Sequence, residues 1–217
     1  IFLFKDLKNL KLIDLMFNQL RSIDYGAFYG LSNLNELSLE NNRFRSIEHV
    51  LNEMEFLPKL ERIRLESNQI EQLNLSFNHF VFKNFLNLKQ LFLNGNYIKY
   101  LNRNSLAGLN SLNELWLSHN QIESIEWSTF SHLNKLSILN LDNNRLDFRN
   151  STKHLLYCLI LNSSSLNTID LCSNTKLEKD LDLDKKNCFN LVHIRKILKN
   201  KLKDTIIDFN NNNNNNL

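Results

Sequence analysis

The chain has 217 residues, of which 42% are hydrophobic and 23% are charged, and its formal net charge is +3. These values indicate one soluble domain or one repeat array rather than a polycation that neutralises phosphates, so they argue against nucleic acid as a partner. With only 4 Gly and 1 Pro, a Gly-rich phosphate-binding loop and a hairpin-rich sandwich are both unsupported. The longest apolar run, residues 155–161, is too short to cross a bilayer, so no membrane insertion within this chain is expected.

A leucine-based repeat runs from the first residues through most of the chain. The frame Leu-x-x-Leu-x-Leu-x-x-Asn-x-Leu, with other apolar residues at some positions, fits 10–20, 34–44, 60–70, 88–98, 112–122, 136–146 and 166–174. The steps between its Asn residues are 24, 26, 28, 24, 24 and 30 residues. The alternation in Leu-x-Leu predicts a short strand in each repeat. Since no repeat buries its apolar face alone, successive strands should stack as a parallel sheet.

Two segments fit the frame in a second way. The segment 70–80 fits with Asn78, ten residues after Asn68, and the segment 156–166 fits with Ser164, ten residues before Asn174. We favour Asn68 because it keeps the steps close to the period, and Asn174 because it keeps the asparagine.

These repeats resemble leucine-rich repeat proteins over residues 4 to about 174. Endings of the form Phe-x-x-Leu-x-x-Leu, as at 28–34 and 130–136, are similar to the typical 24-residue subtype. The resemblance implies an α/β fold, a right-handed solenoid or horseshoe with a short-stranded parallel β-sheet on its concave face. It also implies that the repeat asparagines turn inward and hydrogen-bond backbone groups of adjoining turns. This expected ladder comprises Asn18, Asn42, Asn68, Asn96, Asn120, Asn144 and Asn174.

Toward the C-terminus the pattern changes to longer, helix-bearing repeats. A short convex helix is predicted over residues 152–161, and apolar residues at helical spacing predict another over 189–203. The second helix should cover the end of the core, and membrane-surface binding through its basic face is the alternative. A last strand is expected near 205–209, which gives a repeat domain over 1–209. The poly-Asn tail, 210–217, should be disordered.

Residues that alternate with the buried leucines should face the concave side. Their central column comprises Asp14, Ser38, Arg64, Phe92, Trp116, Asn140 and Asp170. Phe92 and Trp116 then lie on adjacent strands, and Trp and Arg are the residue types most enriched at binding hot spots. The predicted partner-binding residues are Arg62, Arg64, Phe92, Glu114 and Trp116. In the alternative interpretation the two aromatic side chains only pack on each other, within a solvated face of weak ion pairs.

No chemical motif supports catalysis. The chain has no nucleophile elbow, Walker loop or dinucleotide-binding fingerprint, and its six His are scattered. We therefore predict no catalytic, cofactor-binding or metal-binding residue. The resemblance implies a non-enzymatic module that binds a protein partner on its concave face, with a glycan as the alternative ligand.

The compartment is left with two interpretations. The 24-residue subtype favours an extracellular or cell-surface recognition domain of a receptor or adhesion protein. The helix-bearing repeats favour a cytosolic scaffold or regulatory subunit of a signalling enzyme, as does the odd number of cysteines, Cys158, Cys172 and Cys188, which argues against a closed disulfide scaffold. Cys172 and Cys188 could pair only if the loop between them folds back. The glycosylation sequons at Asn74, Asn150 and Asn162 are no more frequent than the composition produces.

Overall fold

The protein is a parallel-sheet solenoid. The computed structural model describes residues 3–51, 57–73, 82, 84–126, 128–147, 165–181, 183, 188, 190–192 and 194–200. Within these ranges, the nine short strands are β1 Leu12–Asp14, β2 Glu36–Ser38, β3 Arg62–Arg64, β4 Gln90–Phe92, β5 Tyr100–Leu101, β6 Glu114–Trp116, β7 Ser124–Ile125, β8 Ile138–Asn140 and β9 Thr168–Asp170. Seven of them form one sheet in the order β1-β2-β3-β4-β6-β8-β9, and β5 pairs with β7 in a second sheet. All of these pairings are parallel. The predicted fold class is confirmed.

Burial in the strands follows the alternation in the sequence. The middle residue of each strand in the large sheet is buried, from Ile13 at 6% exposure to Leu115 at 0%. These middle residues are in register across the sheet, so Leu37 pairs with Ile63 and Leu91 pairs with Leu115. Their flanking residues therefore all project from the opposite, concave face. The apolar residues of successive turns form one continuous core, as a solenoid requires.

Helical segments accompany the sheet. In the described part of the chain, the first two are α1 at Glu48–Leu51 and α2 at Thr175–Leu181. Neither helix was predicted from the sequence. Leu177 and Leu181 of α2 are four residues apart and both fully buried, which is the spacing of one helix face. Residues 191–192 and 194–200 are helical and lie within the predicted 189–203 segment. The predicted helix over 152–161, the strand near 205–209 and the tail 210–217 lie outside the described residues.

A disulfide bond closes the end of the array. Cys172, directly after β9 and Leu171, is bonded to Cys188, and their Cα atoms are 4.9 Å apart. The Leu171 amide also donates to the Cys188 carbonyl at 3.1 Å. The loop between the two cysteines therefore folds back, which is the condition that the sequence sets for this pairing. Cys158 and the sequons at Asn74, Asn150 and Asn162 lie outside the described residues. In the described part of the chain, no helix is long and apolar enough to span a bilayer.

A concave candidate site

An asparagine ladder holds the turns of the solenoid in register. Asn96 is 2% exposed, and its Nδ2 donates to the carbonyl oxygens of Leu65 and Leu93 at 2.9 and 3.0 Å. Its Oδ1 accepts the Ile70 amide at 2.9 Å. Each buried asparagine thus contacts an amide and a carbonyl of the preceding turn and a carbonyl of its own turn. The same three contacts recur at Asn42, Asn68, Asn120, Asn144 and Asn174.

Asn18 lies at the first turn and is the exception. It is exposed, and its described Nδ2 contacts are to carbonyls of its own turn, those of Leu15 and Met16. The buried asparagines each satisfy backbone groups of two turns, so they carry the structural role that the sequence predicts for the ladder.

The centre of the concave face is a stack of three side chains. Phe92 on β4 pairs in register with Trp116 on β6, and their ring centroids are 6.0 Å apart with an interplanar angle of 16°. The guanidinium carbon of Arg64 on β3 lies 5.1 Å from the centroid of Phe92. Three adjacent strands thus contribute one residue each to what we call the arginine–aromatic stack. Its members are half-buried, and such stacked and cation–π contacts are favourable at partly desolvated sites.

Carboxylates fix the position of Arg64. Its Nη1 lies 2.7 Å from Glu40 Oε1 and 3.7 Å from Glu66 Oε1, and its Nε lies 3.4 Å from Glu36 Oε1. The hydrogen bond with Glu40 raises the pKa of Arg64, against an opposing effect of burial. Because several acceptors surround the planar guanidinium, Arg64 is held over Phe92 rather than free to sample other rotamers.

A second row of polar contacts runs across four strands beside the stack. Arg62 Nη1 donates to Glu36 Oε2 at 2.9 Å, and Arg62 Nε donates to the Gln90 side-chain oxygen. Gln90 Nε2 donates to Glu114 Oε1 at 2.8 Å, and Trp116 Nε1 donates to Glu114 Oε2 at 3.2 Å. This polar row therefore ends on the stack and connects both features into one surface. We call the stack, the polar row, Glu40 and Glu66 the concave patch.

Glu66 has a buried carboxylate oxygen that is not hydrogen-bonded to any described residue. Burial raises the pKa of Glu66 above its ordinary value, with a further contribution from Glu40. The patch holds four carboxylates, on Glu36, Glu40, Glu66 and Glu114, against two guanidinium groups. Negative charge therefore predominates among the charged groups beside the rings, in what we call the carboxylate-rich rim.

The structure brings the five sequence-predicted residues into one contiguous patch. It also shows features from both interpretations, because the aromatic rings pack on each other and the charges form cross-strand pairs. The side chains of Glu36, Glu40 and Glu66 are only 22%, 12% and 19% exposed, which is less than a freely solvated face would give. Three further participants, Glu36, Glu40 and Glu66, are the flanking charges that the sequence assigns to weak cross-strand pairs with Arg62 and Arg64. Gln90 was not singled out from the sequence, although it lies in the same column as Arg62.

One other cluster of polar side chains lies at the end of the sheet. Ligand atoms of Asp170, Cys172 and Cys188 lie within 4.8 Å of one another. Both sulfur atoms belong to the disulfide, so neither can become the thiolate that binds metals. Burial raises the pKa of Asp170, and the nearby Asp142 adds to that shift.

Comparison with known proteins supports the fold. The family model described as leucine rich repeat matches residues 2–44, 58–122, 87–146 and 111–157, well over half of the chain. No curated protein sequence matches significantly. Among solved structures, 373 chains match; such a widespread fold does not by itself identify a partner.

One matched solved structure is described as "Crystal structure of TLR13-ssRNA13 complex". It superimposes with a TM-score of 0.63 and 28% sequence identity over 77% of this chain, which spans only 22% of the matched chain. Its presence in a complex with RNA shows that the exclusion of nucleic acid, drawn here from net charge, is wrong. The net charge of a whole chain does not describe its local surfaces, and a solenoid presents many of them.

The repeat frame, the parallel register, the asparagine ladder and the family match over well over half of the sequence agree. The solved relative is receptor-like, and this fold generally serves as an interaction scaffold rather than as an enzyme. The chain belongs to the leucine-rich repeat family.

Proposed function

We propose that this chain is a recognition module that binds a protein partner through the concave patch, as part of a receptor or adhesion ectodomain. The observation that carries the proposal is the arginine–aromatic stack, in which Arg64, Phe92 and Trp116 from three adjacent strands contact one another. Trp and Arg dominate binding energy where they are centrally placed and can be desolvated.

Preorganisation supports the same function. The stack is held by the sheet register, by the ion pairs of Arg64 and by the hydrogen bond from Trp116 to Glu114. Binding therefore requires little ordering of these side chains, which lowers the entropic cost of association. The carboxylate-rich rim favours a partner that presents basic side chains around an apolar or aromatic centre.

The disulfide supports the ectodomain over the cytosolic scaffold. Disulfide bonds persist in oxidising compartments and are rare in cytosolic proteins. A bond between Cys172 and Cys188 is therefore expected in a secreted or cell-surface protein.

Single-stranded RNA is a second candidate, favoured by the ssRNA13 of the TLR13 complex. Aromatic rings flanked by arginine can stack on unpaired bases. However, the phosphates of such a strand would approach Glu36, Glu40, Glu66 and Glu114, and the electrostatic part of RNA binding requires unpaired cations instead. We therefore favour a protein partner at this surface.

The proposal is tested by proximity labelling in the native cell, with wild type compared with the double variant Phe92→Ala, Trp116→Ala. The matched control is Tyr29→Ala, Tyr97→Ala, which removes two aromatic side chains that are exposed outside the concave strands. Circular dichroism verifies that all variants fold. We expect at least one protein partner to be lost only from the concave variant.

Two results would contradict the proposal. An unchanged partner list in the concave variant would mean that the rings serve sheet packing alone. Binding of a mixed-sequence single-stranded RNA that is lost in the concave variant and retained in the control would instead favour the RNA candidate.

A further inference from the structure

A second polar surface lies outside the concave patch. Arg21, Arg43, Arg45 and Gln69 line a groove with a volume of about 420 Å³. They lie one and three residues after the ladder asparagines of three successive turns, on the segments that leave the concave strands. The groove is therefore formed by the repeat itself.

The three arginines of this groove differ from others on the solenoid. Arg62, Arg64, Arg103 and Arg145 each contact a glutamate carboxylate. In the described part of the chain, no carboxylate lies within ion-pair distance of Arg21, Arg43 or Arg45. The same repeat position as Arg21 and Arg45 holds Glu71 in the next turn, so the positive charge ends there. Three guanidinium groups without an ion-pair partner among the described residues thus form a local anion-attracting surface around one groove.

The backbone under this groove is hydrogen-bonded from turn to turn. The Arg43 amide donates to the Leu20 carbonyl at 2.8 Å, and the Gln69 amide donates to the Phe44 carbonyl at 2.9 Å. Arg45 Nε donates to the Gln69 side-chain oxygen at 3.2 Å. This contact orients the Gln69 side chain beside Arg45, and its amide nitrogen is a further donor for a ligand oxygen.

We propose that this groove, the arginine groove, binds a sulfated polysaccharide. Sulfate groups accept paired hydrogen bonds from guanidinium groups, as other oxyanions do, and arginine suits this geometry better than lysine. None of the lining residues that the structure describes is aromatic, so they provide no stacking platform of the kind by which proteins hold single-stranded nucleic acid. Cationic side chains without such a platform favour an anionic chain that has no bases to stack.

The test is a calorimetric titration of the chain with a size-defined heparin oligosaccharide at physiological salt. The double variant Arg43→Gln, Arg45→Gln removes two charges from the arginine groove, and the control Arg103→Gln, Arg145→Gln removes two exposed charges elsewhere. We expect binding to weaken by about tenfold or more in the first variant and by less than about threefold in the control, because only the first loses charge-assisted hydrogen bonds to the ligand. Binding should also weaken as salt is raised.

Each other result would overturn the proposal. Equal losses in the two variants would indicate non-specific attraction to net charge, and no measurable binding by wild type would remove the site altogether. If single-stranded RNA binds as tightly as heparin, and if the Arg43→Gln, Arg45→Gln variant weakens that RNA binding, the groove would be a nucleic-acid site. Heparin binding by the Phe92→Ala, Trp116→Ala variant should be unchanged, so this test and that of the concave patch succeed or fail separately.

Discussion

The asparagine ladder allows a stability prediction that can be worked out bond by bond. In Asn96→Ala the carbonyls of Leu65 and Leu93 each retain another amide donor, Asn68 at 3.2 Å and Asn120 at 3.0 Å. The buried Ile70 amide instead loses the acceptor at 2.9 Å that the structure gives it. An unsatisfied buried donor costs about 1–3 kcal/mol. The lost bonds to the carbonyls of Leu65 and Leu93, with a longer third contact to the Asn94 carbonyl at 3.4 Å, add about 1 kcal/mol in total. The expected loss in the free energy of unfolding is therefore about 2–4 kcal/mol.

The matched control for this prediction is Asn18→Ala. Asn18 is exposed and, among the described residues, donates within its own turn alone, so its removal should cost less than about 1 kcal/mol. Urea denaturation followed by circular dichroism measures both variants, and coincident transitions by fluorescence check that unfolding remains cooperative. Equal destabilisation of the two variants, or a loss below about 1 kcal/mol for Asn96→Ala, would refute the structural role of the ladder.

Three further predictions concern the disulfide, Glu66 and a glycine. The double variant Cys172→Ser, Cys188→Ser opens a loop with a sequence separation of 16 and should lower the free energy of unfolding by about 3 kcal/mol in urea denaturation; an unchanged midpoint would contradict a closed bond. The pKa of Glu66 is higher in the folded state than in the unfolded chain. Its ionisation therefore leaves the free energy of unfolding unchanged below the ordinary glutamate pKa and lowers it by the full amount above the raised pKa. The stability of Glu66→Gln relative to wild type should therefore increase from about pH 4 to about pH 7, and a constant difference would refute the burial argument. Gly30 has φ +91°, and an added Cβ would lie 2.7 Å from the Lys5 carbonyl oxygen, whereas at Gly95, with φ +66°, the nearest atom would be 3.4 Å away. Gly30→Ala should therefore cost about 2 kcal/mol more than Gly95→Ala in thermal or urea unfolding, and similar losses would show that Lys5 moves aside.

The sequence allowed the sheet to be predicted because burial follows the repeat so closely. Once Leu91 and Leu115 are assigned to the core, the strand alternation predicts that Phe92 lies beside Trp116. The observed register pairs these two residues. The contact of Arg64 with Phe92 depends on side-chain torsions and on the shared carboxylates of Glu36, Glu40 and Glu66. A repeat pattern carries no information about those torsions.

The sequence reasoning failed where structure departs from the repeat. Helix α2 begins directly after the ladder residue Asn174, where the repeat frame predicts no helix, although Leu177 and Leu181 have helical spacing. The disulfide depends on how the chain returns after β9, which is a tertiary property. Net charge was a poor guide to partners because it averages the carboxylate-rich concave patch with the arginine groove.

Binding through the concave patch is tested most directly by site-specific photo-crosslinking in the native cell. A benzophenone amino acid replaces Phe92 in one protein and Tyr29, an exposed residue outside the concave strands, in another. We predict that a protein partner is captured from position 92 and not from position 29. Capture from position 29 alone, or equal capture from both positions, would contradict recognition through the concave face.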